Sequence, residues 1–528
     1  MNIFGNKDVL FTINRCFERF GEFVIKGRYF FIILTFLLIL FSVFGLKNLR
    51  VGLDLDKYFT EDDPIIVNKE LFAKDFGNND FVGVLVDADN VFDRQILNII
   101  REISTELRDS VPFSKELISL TDINYILPVN PMMPTKKAVF NTSEIDINKI
   151  TNDQLSKIVK LFDNREGIKG KLYSADHKQT WIVLKLNVFP KNAEWKKKQA
   201  PVEYVGQKAY EIVVKYNNKY GETFKSKNFK LTAAGSPVIA YRRNAESFQE
   251  MKTIIVFAAV ISVILIVLMT LSFRASIGVI VSVSGSLLMV FGIKGYARET
   301  VDPGFMLIPI LLTIAVSVAY AIHFTAFYKK MLAESRDRKR AVVLSMKENG
   351  WPIFFASFTT IVSLLSFITI PIAPIQWAGK TAALSIFIVY LLLMFFYPSI
   401  LTLGKSSQIK VKKTSADAFW DSLLNRISEF VIRRGKLIII VFSLVTVVMT
   451  VFCFSVEVNL NSKKMFGTKM PHTKDMVYVS ESKIATSYFY NILLKSNEEG
   501  FFRNIDNIKK VADIDKKIKE SAIVNDVT

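Results

Sequence analysis

His323 places a titratable side chain inside a stretch of sequence that carries no charge. Apart from tyrosines and cysteines, it is the one ionisable residue in any apolar stretch long enough to cross a membrane. Tyr320 lies three residues before it and Ser317 three before Tyr320, so a helix would align them in a slanting polar row. Histidine titrates at about pH 6.5, and ionisable groups inside membranes are often functional. The row predicts a proton relay. The alternative is that His323 only packs or reaches the membrane interface, since it lies near one end of its stretch.

Small residues recur in another apolar stretch at a spacing that suits helix packing. Gly278, Gly285 and Gly292 follow one another every seven residues, and Ser282 lies beside them. Small residues allow two membrane helices to approach closely. We therefore predict that this face packs against a neighbouring span, with a substrate groove as the alternative.

The remaining patterns do not support catalysis, nucleotide binding or a metal site. Gly379-Lys380-Thr381 resembles the end of a phosphate-binding loop, but Pro374 occupies the position of the first glycine and no soluble strand precedes it. The three histidines and two cysteines lack the spacing of metal ligands, and the sequence shows no nucleophile–histidine–acid set. We expect no enzyme activity, no cofactor and no metal.

The elements that position these residues are membrane spans. Half of the chain is apolar, concentrated in runs, and a span needs about 20 mainly apolar residues. Seven stretches free of Asp, Glu, Lys and Arg qualify: Tyr29–Leu46, Thr253–Phe273, Ala275–Ile293, Pro303–Tyr328, Trp351–Ile370, Thr381–Leu403 and Leu437–Val456.

Lysine and arginine in the short loops predict the orientation of the chain. The segments 1–28, 329–350 and 404–436 carry five, seven and eight basic residues, whereas 294–302 and 371–380 carry two and one. Basic loops stay in the cytoplasm. We therefore expect a cytoplasmic N-terminus in a cytoplasmic (inner) membrane. This topology accounts for much of the net charge of +19, so we expect no nucleic-acid partner.

The fold class that follows is an α-helical transmembrane bundle of about seven spans with an α+β extracytoplasmic domain. In residues 47–252, strand-like and helix-like segments alternate, which favours βαβ-like units. The strands are Phe81–Val86, Leu117–Leu120, Trp181–Leu186 and Leu231–Ala234, the helices are Arg94–Leu107 and Glu203–Tyr216, and 130–166 is an insertion. The tail repeats this order with a strand at Tyr488–Lys495 and a helix at Ile505–Ile518.

These predictions divide the chain into seven parts. The two lead-ins, Phe17–Ile25 and Phe419–Ile432, are amphipathic helices that lie on the membrane surface or pack on loops of the same protein. The parts are a cytoplasmic lead-in (1–28), span 1 (29–46), the extracytoplasmic domain (47–252), a five-span bundle (253–403), a cytoplasmic loop and helix (404–436), span 7 (437–456) and an incomplete second extracytoplasmic domain (457–528).

An internal repeat links the two ends of the chain. Residues 22–64 and 429–471 align without a gap at an offset of 407, and twelve of the 43 positions are identical. Parallel repeats of this kind are typical of transporters. At the same offset Thr528 corresponds to Thr121, so we expect the second copy to stop within its soluble domain.

Several motifs together resemble the resistance–nodulation–cell division (RND) superfamily of exporters, in particular its MMPL-type and hopanoid-exporter-like members, which are related to Patched proteins. The motifs are Leu117–Thr121, Ala315–His323, Ser357–Thr360, Pro374–Gly379 and Tyr397–Ser399. The resemblance implies export of lipids or hydrophobic compounds at the inner membrane, driven by the proton gradient. The chain departs from it at Ala319, where many relatives carry an acidic residue. The resemblance also implies that the chain is truncated after the seventh of twelve spans.

Two classes of function follow from these expectations. The first is a secondary transporter that exports a hydrophobic or lipid-like substrate. The second is a non-transporting lipid sensor or scaffold, with an inactive truncated exporter as a variant. The expected partners are membrane lipids, the substrate, and either a second chain that supplies the missing spans or further copies of this chain.

Overall fold

A computed structural model describes most of the chain. The described residues are 7–52, 59, 63–126, 139–164, 168–190, 195, 199–270, 272–404, 415–456, 467, 469–484, 494–496 and 498–520. They form two compact units, a helical unit (Met1–Val51 and Ser247–Met465) and an α+β unit (Gly52–Glu246 and Phe466–Thr528).

The secondary structure of the described residues is mostly helical. The helices are α1 Lys7–Lys26, α2 Arg28–Leu46, α3 Pro64–Phe76, α4 Arg94–Ser110, α5 Asn152–Asp163, α6 Pro201–Tyr220, α7 Ser236–Thr270, α8 Phe273–Tyr296, α9 Pro303–Ser335, α10 Arg338–Leu365, α11 Ala373–Leu391, α12 Tyr397–Leu401, α13 Ser415–Cys453, α14 Pro471–Ser480 and α15 Ile505–Lys519. The strands are β1 Arg50–Val51, β2 Phe81–Asp87, β3 Ser114–Ile118, β4 Asn124–Ile126, β5 Val139–Asn141, β6 Gln179–Leu186, β7 Lys230–Ala234 and β8 Thr300–Val301.

The helical unit contains seven helical segments long and apolar enough to cross a membrane, as the sequence predicts. Most of these helices are longer than the charge-free stretches, because backbone hydrogen bonding continues through polar residues. Helix α9 begins where Asp302 caps the amide of Gly304, and it ends at Ser335, seven residues beyond its apolar stretch. A π-helical turn, Leu392–Phe396, joins α11 to α12.

The first lead-in helix packs against the bundle. The ring of Phe17 lies over Gly350 of α10, and Gly21 contacts Val343 of the same helix. The carboxylate of Glu18 forms ion pairs with Arg340 and Lys347. This face of the lead-in therefore packs on the same protein.

The two copies of the internal repeat, which lie 407 residues apart, also share backbone features. Gly27 leaves helical geometry between α1 and α2 (φ −90°, ψ 10°), and Arg434, 407 residues later, does so inside α13 (φ −114°, ψ 19°). Likewise, α3 begins at Pro64 and α14 at Pro471. The two copies therefore share a bend before the span and a helix start after it. No residue in the apolar window of α13 is buried against the described chain.

The α+β unit is built on a four-stranded antiparallel sheet with the order β3-β6-β2-β7. Strand β6 is antiparallel to both β2 and β3, so β2 and β3 are parallel with β6 between them. Strands β6 and β7 have the same relation across β2. The unit is therefore a βαββαβ fold of two split βαβ motifs, which agrees with the expected βαβ-like units.

One face of the sheet carries the core of the unit. Asp93 caps α4 by accepting the amide hydrogen of Gln95, and the helix buries Ile96, Ile100 and Ile103 against the sheet at the predicted spacing. The strand predicted at Leu117–Leu120 instead runs over Ser114–Ile118, because its residues pair with Leu186–Val183 of β6. The hairpin β4–β5 and helix α5 are inserted between β3 and β6; β5 and α5 lie within the predicted insertion 130–166, whereas β4 precedes it. The strand predicted at Tyr488–Lys495 lies mostly outside the described residues.

The opposite face of the sheet is covered by residues 471–484. Trp181 donates to the carbonyl of Ile484 (3.1 Å), and the ammonium of Lys230 lies 4.0 Å from the centre of the Tyr478 ring. Burial raises the pKa of Tyr478 to about 12. The ammonium of Lys483 donates to Asp176 (2.6 Å), which holds the pKa of that carboxyl well below its usual range. Residues 471–484 thus belong to the α+β unit.

An ion-pair cluster within the α+β unit fixes the start of α14. Arg242 of α7 is buried and pairs with Asp475 (2.5 Å) and Glu246 (3.1 Å). The carboxylate of Glu246 in turn bonds the amide nitrogen (3.0 Å) and Nδ1 (2.7 Å) of His472, which is also buried. Every charge in the cluster has an opposite or hydrogen-bonding partner, as buried charges require.

Candidate functional site

The predicted polar row runs from the interior of the helical unit to its surface. Ser317 of α9 is buried, Tyr320 is half-buried and His323 is exposed. Among the described residues, no hydrogen bond joins the three side chains. His323 lies twenty residues after Pro303, about 30 Å along the helix, which equals the thickness of a hydrocarbon core. The geometry allows a proton to be exchanged at this end of α9, and direct transfer along the row would need bridging water.

Ala319 stands where many members of the RND superfamily carry an acidic residue. It lies on the exposed face of α9. From Pro303 to Tyr328 the helix carries no Asp, Glu, Lys or Arg. Tyrosines apart, His323 is therefore the one ionisable side chain in this stretch.

The structure places each of the three predicted glycines of α8 against a neighbouring helix. A Cβ on Gly278 would lie 2.9 Å from the ring of Tyr397, and one on Gly285 would lie 2.8 Å from Ile39. A Cβ on Gly292 would lie 2.4 Å from the carbonyl oxygen of Ser42. Ser282 is buried and donates to the carbonyl of Gly278 (2.8 Å). The face is filled by helices of the same unit, so the described chain leaves no groove along it.

Two further glycines complete this contact, and the sequence pattern missed them. A Cβ on Gly295 would lie 2.0 Å from the carbonyl oxygen of Gly45, and one on Gly45 would lie 2.3 Å from that of Gly292. Helices α2 and α8 therefore touch backbone to backbone. Gly295 stands outside the spacing of seven, but it lies three residues after Gly292 on the same helix face, and that spacing could have identified it.

A hydroxyl pair ties α9 to α12. The hydroxyls of Thr325 and Tyr397 lie 2.5 Å apart, and the hydroxyl of Tyr328 donates to the carbonyl of Leu401 (3.2 Å). The ring of Tyr397 also packs against Phe324. The tyrosine of the Tyr397–Ser399 motif thus positions α9, the helix that carries His323.

Removing the hydroxyl of Tyr397 tests the strength of this link. We expect Tyr397→Phe to lower the free energy of unfolding by about 1 kcal/mol, because Thr325 loses its side-chain partner while the ring remains packed. The measurement is the thermal midpoint in detergent, with Tyr296→Phe as a control, since the hydroxyl of Tyr296 bonds the carbonyl of Phe41 at an exposed site. An equal loss in both variants would contradict a special role for Tyr397.

The sequence pattern also missed a charged cluster near the N-terminal end of α9. Lys294 at the end of α8 is largely buried and pairs with Glu299 (3.1 Å). The indole nitrogen of Trp377 donates to the same carboxylate (2.6 Å). In the sequence Lys294 is only a basic residue of the loop 294–302. The cluster could not be predicted because Trp377 lies 78 residues from Glu299, the residue it bonds. The cluster joins the α8–α9 connection to α11.

Comparison with known proteins identifies the family. A search of curated proteins finds no match. Residues 113–438, more than half of the chain, match the MMPL family, a family of membrane transporters. The matched region includes α8–α12, the buried contacts of Gly278 and Tyr397, and the polar row of α9. A multi-pass helical bundle, a βαββαβ unit and this match together show that the chain belongs to the MMPL family.

Proposed function

We propose that the protein is a secondary active RND-type transporter that exports a hydrophobic or lipid-like substrate out of the inner membrane, coupled to the proton gradient. The observation that carries the proposal is the match to a transporter family over the helical bundle. The bundle supports it further, because α9 carries a titratable residue at one end and an ion cluster lies near the other. In the proposed orientation the N-terminus is cytoplasmic and the α+β unit is extracytoplasmic, in keeping with the basic loops.

Export is tested with the full chain in liposomes that contain NBD-labelled phosphatidylethanolamine as the probe. Transfer of the probe to albumin outside the vesicles is followed by fluorescence while a pH gradient is imposed. We expect the gradient to accelerate transfer and a protonophore to abolish the acceleration. If transfer is as fast in protein-free liposomes as in liposomes with the protein, export of this probe is contradicted. A second probe, NBD-labelled fatty acid, extends the test to single-chain lipids.

His323 is the residue we assign to proton exchange. His323→Ala should slow gradient-driven transfer about 100-fold, the size of effect expected when a group that accepts and donates protons is removed. Phe327→Ala is the matched control, because Phe327 is also exposed and lies one turn further along α9. Undiminished transfer by His323→Ala would remove the relay.

A non-transporting lipid sensor is the second candidate. It is favoured by Ala319, which leaves α9 without the carboxylate that many related exporters carry. A sensor would bind the NBD-labelled lipid in a saturable manner but would not move it to albumin in response to a gradient.

A further inference from the structure

Basic side chains converge at one end of the helical unit, around the buried hydroxyl of Tyr328 in α9. Nη1 of Arg338 lies 3.4 Å from this hydroxyl oxygen, and Arg274 also interacts electrostatically with it. Lys329, the next residue of α9, donates to the carbonyl of Met269 near the end of α7 (3.4 Å). We call Arg274, Lys329 and Arg338 the basic site.

Contacts with the end of α12 bring Arg274 close to the same hydroxyl. Tyr328 donates to the carbonyl of Leu401 (3.2 Å), and Gly404 follows Leu401 by three residues, a chain length of at most about 11 Å. A Cβ on Gly404 would lie 2.6 to 2.7 Å from three atoms of the Arg274 guanidinium. The guanidinium therefore rests directly on the backbone of this segment, next to the hydroxyl that Arg338 contacts.

The two arginines have no carboxylate partner among the residues that the structure describes. Neither Arg274 nor Arg338 forms an ion pair there, and the buried Nε of Arg338 has no hydrogen-bond partner. Asp337, which precedes Arg338, accepts the amide hydrogens of Lys339 (3.2 Å) and Arg340 (3.4 Å) at the start of α10. Charges that are withdrawn from water require partners. The basic site is thus short of an anion.

The surroundings of the site favour the phosphate of a lipid as this anion. The α7–α8 and α9–α10 connections and the end of α12 meet here, so the site lies where the spans end. Phe273, which adjoins Arg274, is 81% exposed, as suits an aromatic side chain among lipid headgroups. The fork of N–H donors on a guanidinium matches the oxygens of a phosphate. Basic pockets between membrane helices bind anionic headgroups in this way.

We propose that the basic site binds the phosphate of an anionic phospholipid. Its acyl chains would lie against Phe273 and the exposed apolar face of α7, which includes Leu265 and Leu268. This lipid stays bound at the edge of the bundle and is not the exported substrate, so the site does not depend on the proposed function. In the proposed orientation it belongs to the cytoplasmic leaflet.

The test is native mass spectrometry of the purified full chain in detergent, titrated with dioleoylphosphatidylglycerol. We expect saturable binding of one lipid per chain, at lower concentrations than for dioleoylphosphatidylcholine, whose choline group cancels the charge of the phosphate. Arg274→Ala with Arg338→Ala should weaken this binding about 30-fold, because each basic residue at a membrane surface contributes about fivefold.

Lys330→Ala with Lys339→Ala is the matched control. Both lysines are exposed at the same end of the bundle, so this variant loses the same charge without touching the basic site. Equal weakening in the two double variants would overturn the site, and so would a wild-type protein that does not prefer phosphatidylglycerol to phosphatidylcholine. Should the double arginine variant misfold, Arg274→Ala alone decides: its side chain is exposed, and we expect about fivefold weaker binding.

Inorganic phosphate separates a lipid site from a site for the free ion. We expect millimolar phosphate to leave the phosphatidylglycerol bound, and displacement by phosphate would overturn the lipid as the ligand. The outcomes are also distinct from those of the export assay. Phosphatidylglycerol binding without export of the NBD-labelled lipids would keep the site and contradict the transporter, whereas export without this binding would overturn the site alone.

Discussion

Replacing Gly292 with leucine should disrupt the contact between α2 and α8. A Cβ at this position would lie 2.4 Å from the carbonyl oxygen and 2.8 Å from the Cα of Ser42, and backbone atoms cannot rotate away as a side chain can. Overpacking usually costs about 1–3 kcal/mol, and a clash with backbone should reach or exceed the upper value. We expect a marked fall in the thermal midpoint and in the yield of monodisperse protein.

Gly435→Leu is the control for this experiment. Gly435 lies in α13, and no described atom comes within 4 Å of a Cβ at that position. Helix propensity favours leucine over glycine by up to about 1 kcal/mol, so the control should not lose stability. Equal midpoints for the two variants would show that α2 and α8 do not touch through Gly292.

Removing the side chain of Arg242 should release α14 from the α+β unit. The guanidinium is buried between Asp475 and Glu246 and lies 4.8 Å from the centre of the Tyr210 ring. Breaking a buried ion pair costs about 3–5 kcal/mol, and the lower value applies here because the Asp475 side chain is one-third exposed. In Arg242→Ala, the carboxylates of Asp475 and Glu246 would both lose the guanidinium that pairs them.

Hydrogen exchange over residues 471–480 measures this release directly. We expect Arg242→Ala to remove most of the protection of these amides while the amides of β2 and β6 stay protected. Lys474→Ala is the matched control, because Lys474 lies on α14 with its side chain exposed. Protection that persists in Arg242→Ala would show that the contacts of Trp181 and Lys483 suffice to hold the segment.

Local sequence information determined the membrane character of the chain and most of its elements. Seven charge-free runs predicted seven spanning helices, because a run of about 20 apolar residues has few alternatives to a membrane helix. The spacing of Ile96, Ile100 and Ile103 predicted α4, and its partner strands followed from short apolar runs. The family could also be suspected, since motifs such as Ala315–His323 are contiguous in the chain. Strand boundaries did not follow from the sequence: β3 begins earlier than predicted because pairing with β6 decides where it starts.

Only the tertiary structure decided which residues meet. The repeat linked Pro64 with Pro471, but the cover that residues 471–484 provide for the sheet depends on contacts such as Trp181–Ile484, which join residues about 300 positions apart. The same holds for the Lys294–Glu299–Trp377 cluster, in which Trp377 bonds a residue 78 positions before it. Periodicity reports which face of a helix is apolar, whereas a buried polar group shows its role only when the partners it has, or lacks, are known. The sequence by itself therefore determined the elements and the class of protein, and three-dimensional packing decided where polar chemistry is concentrated.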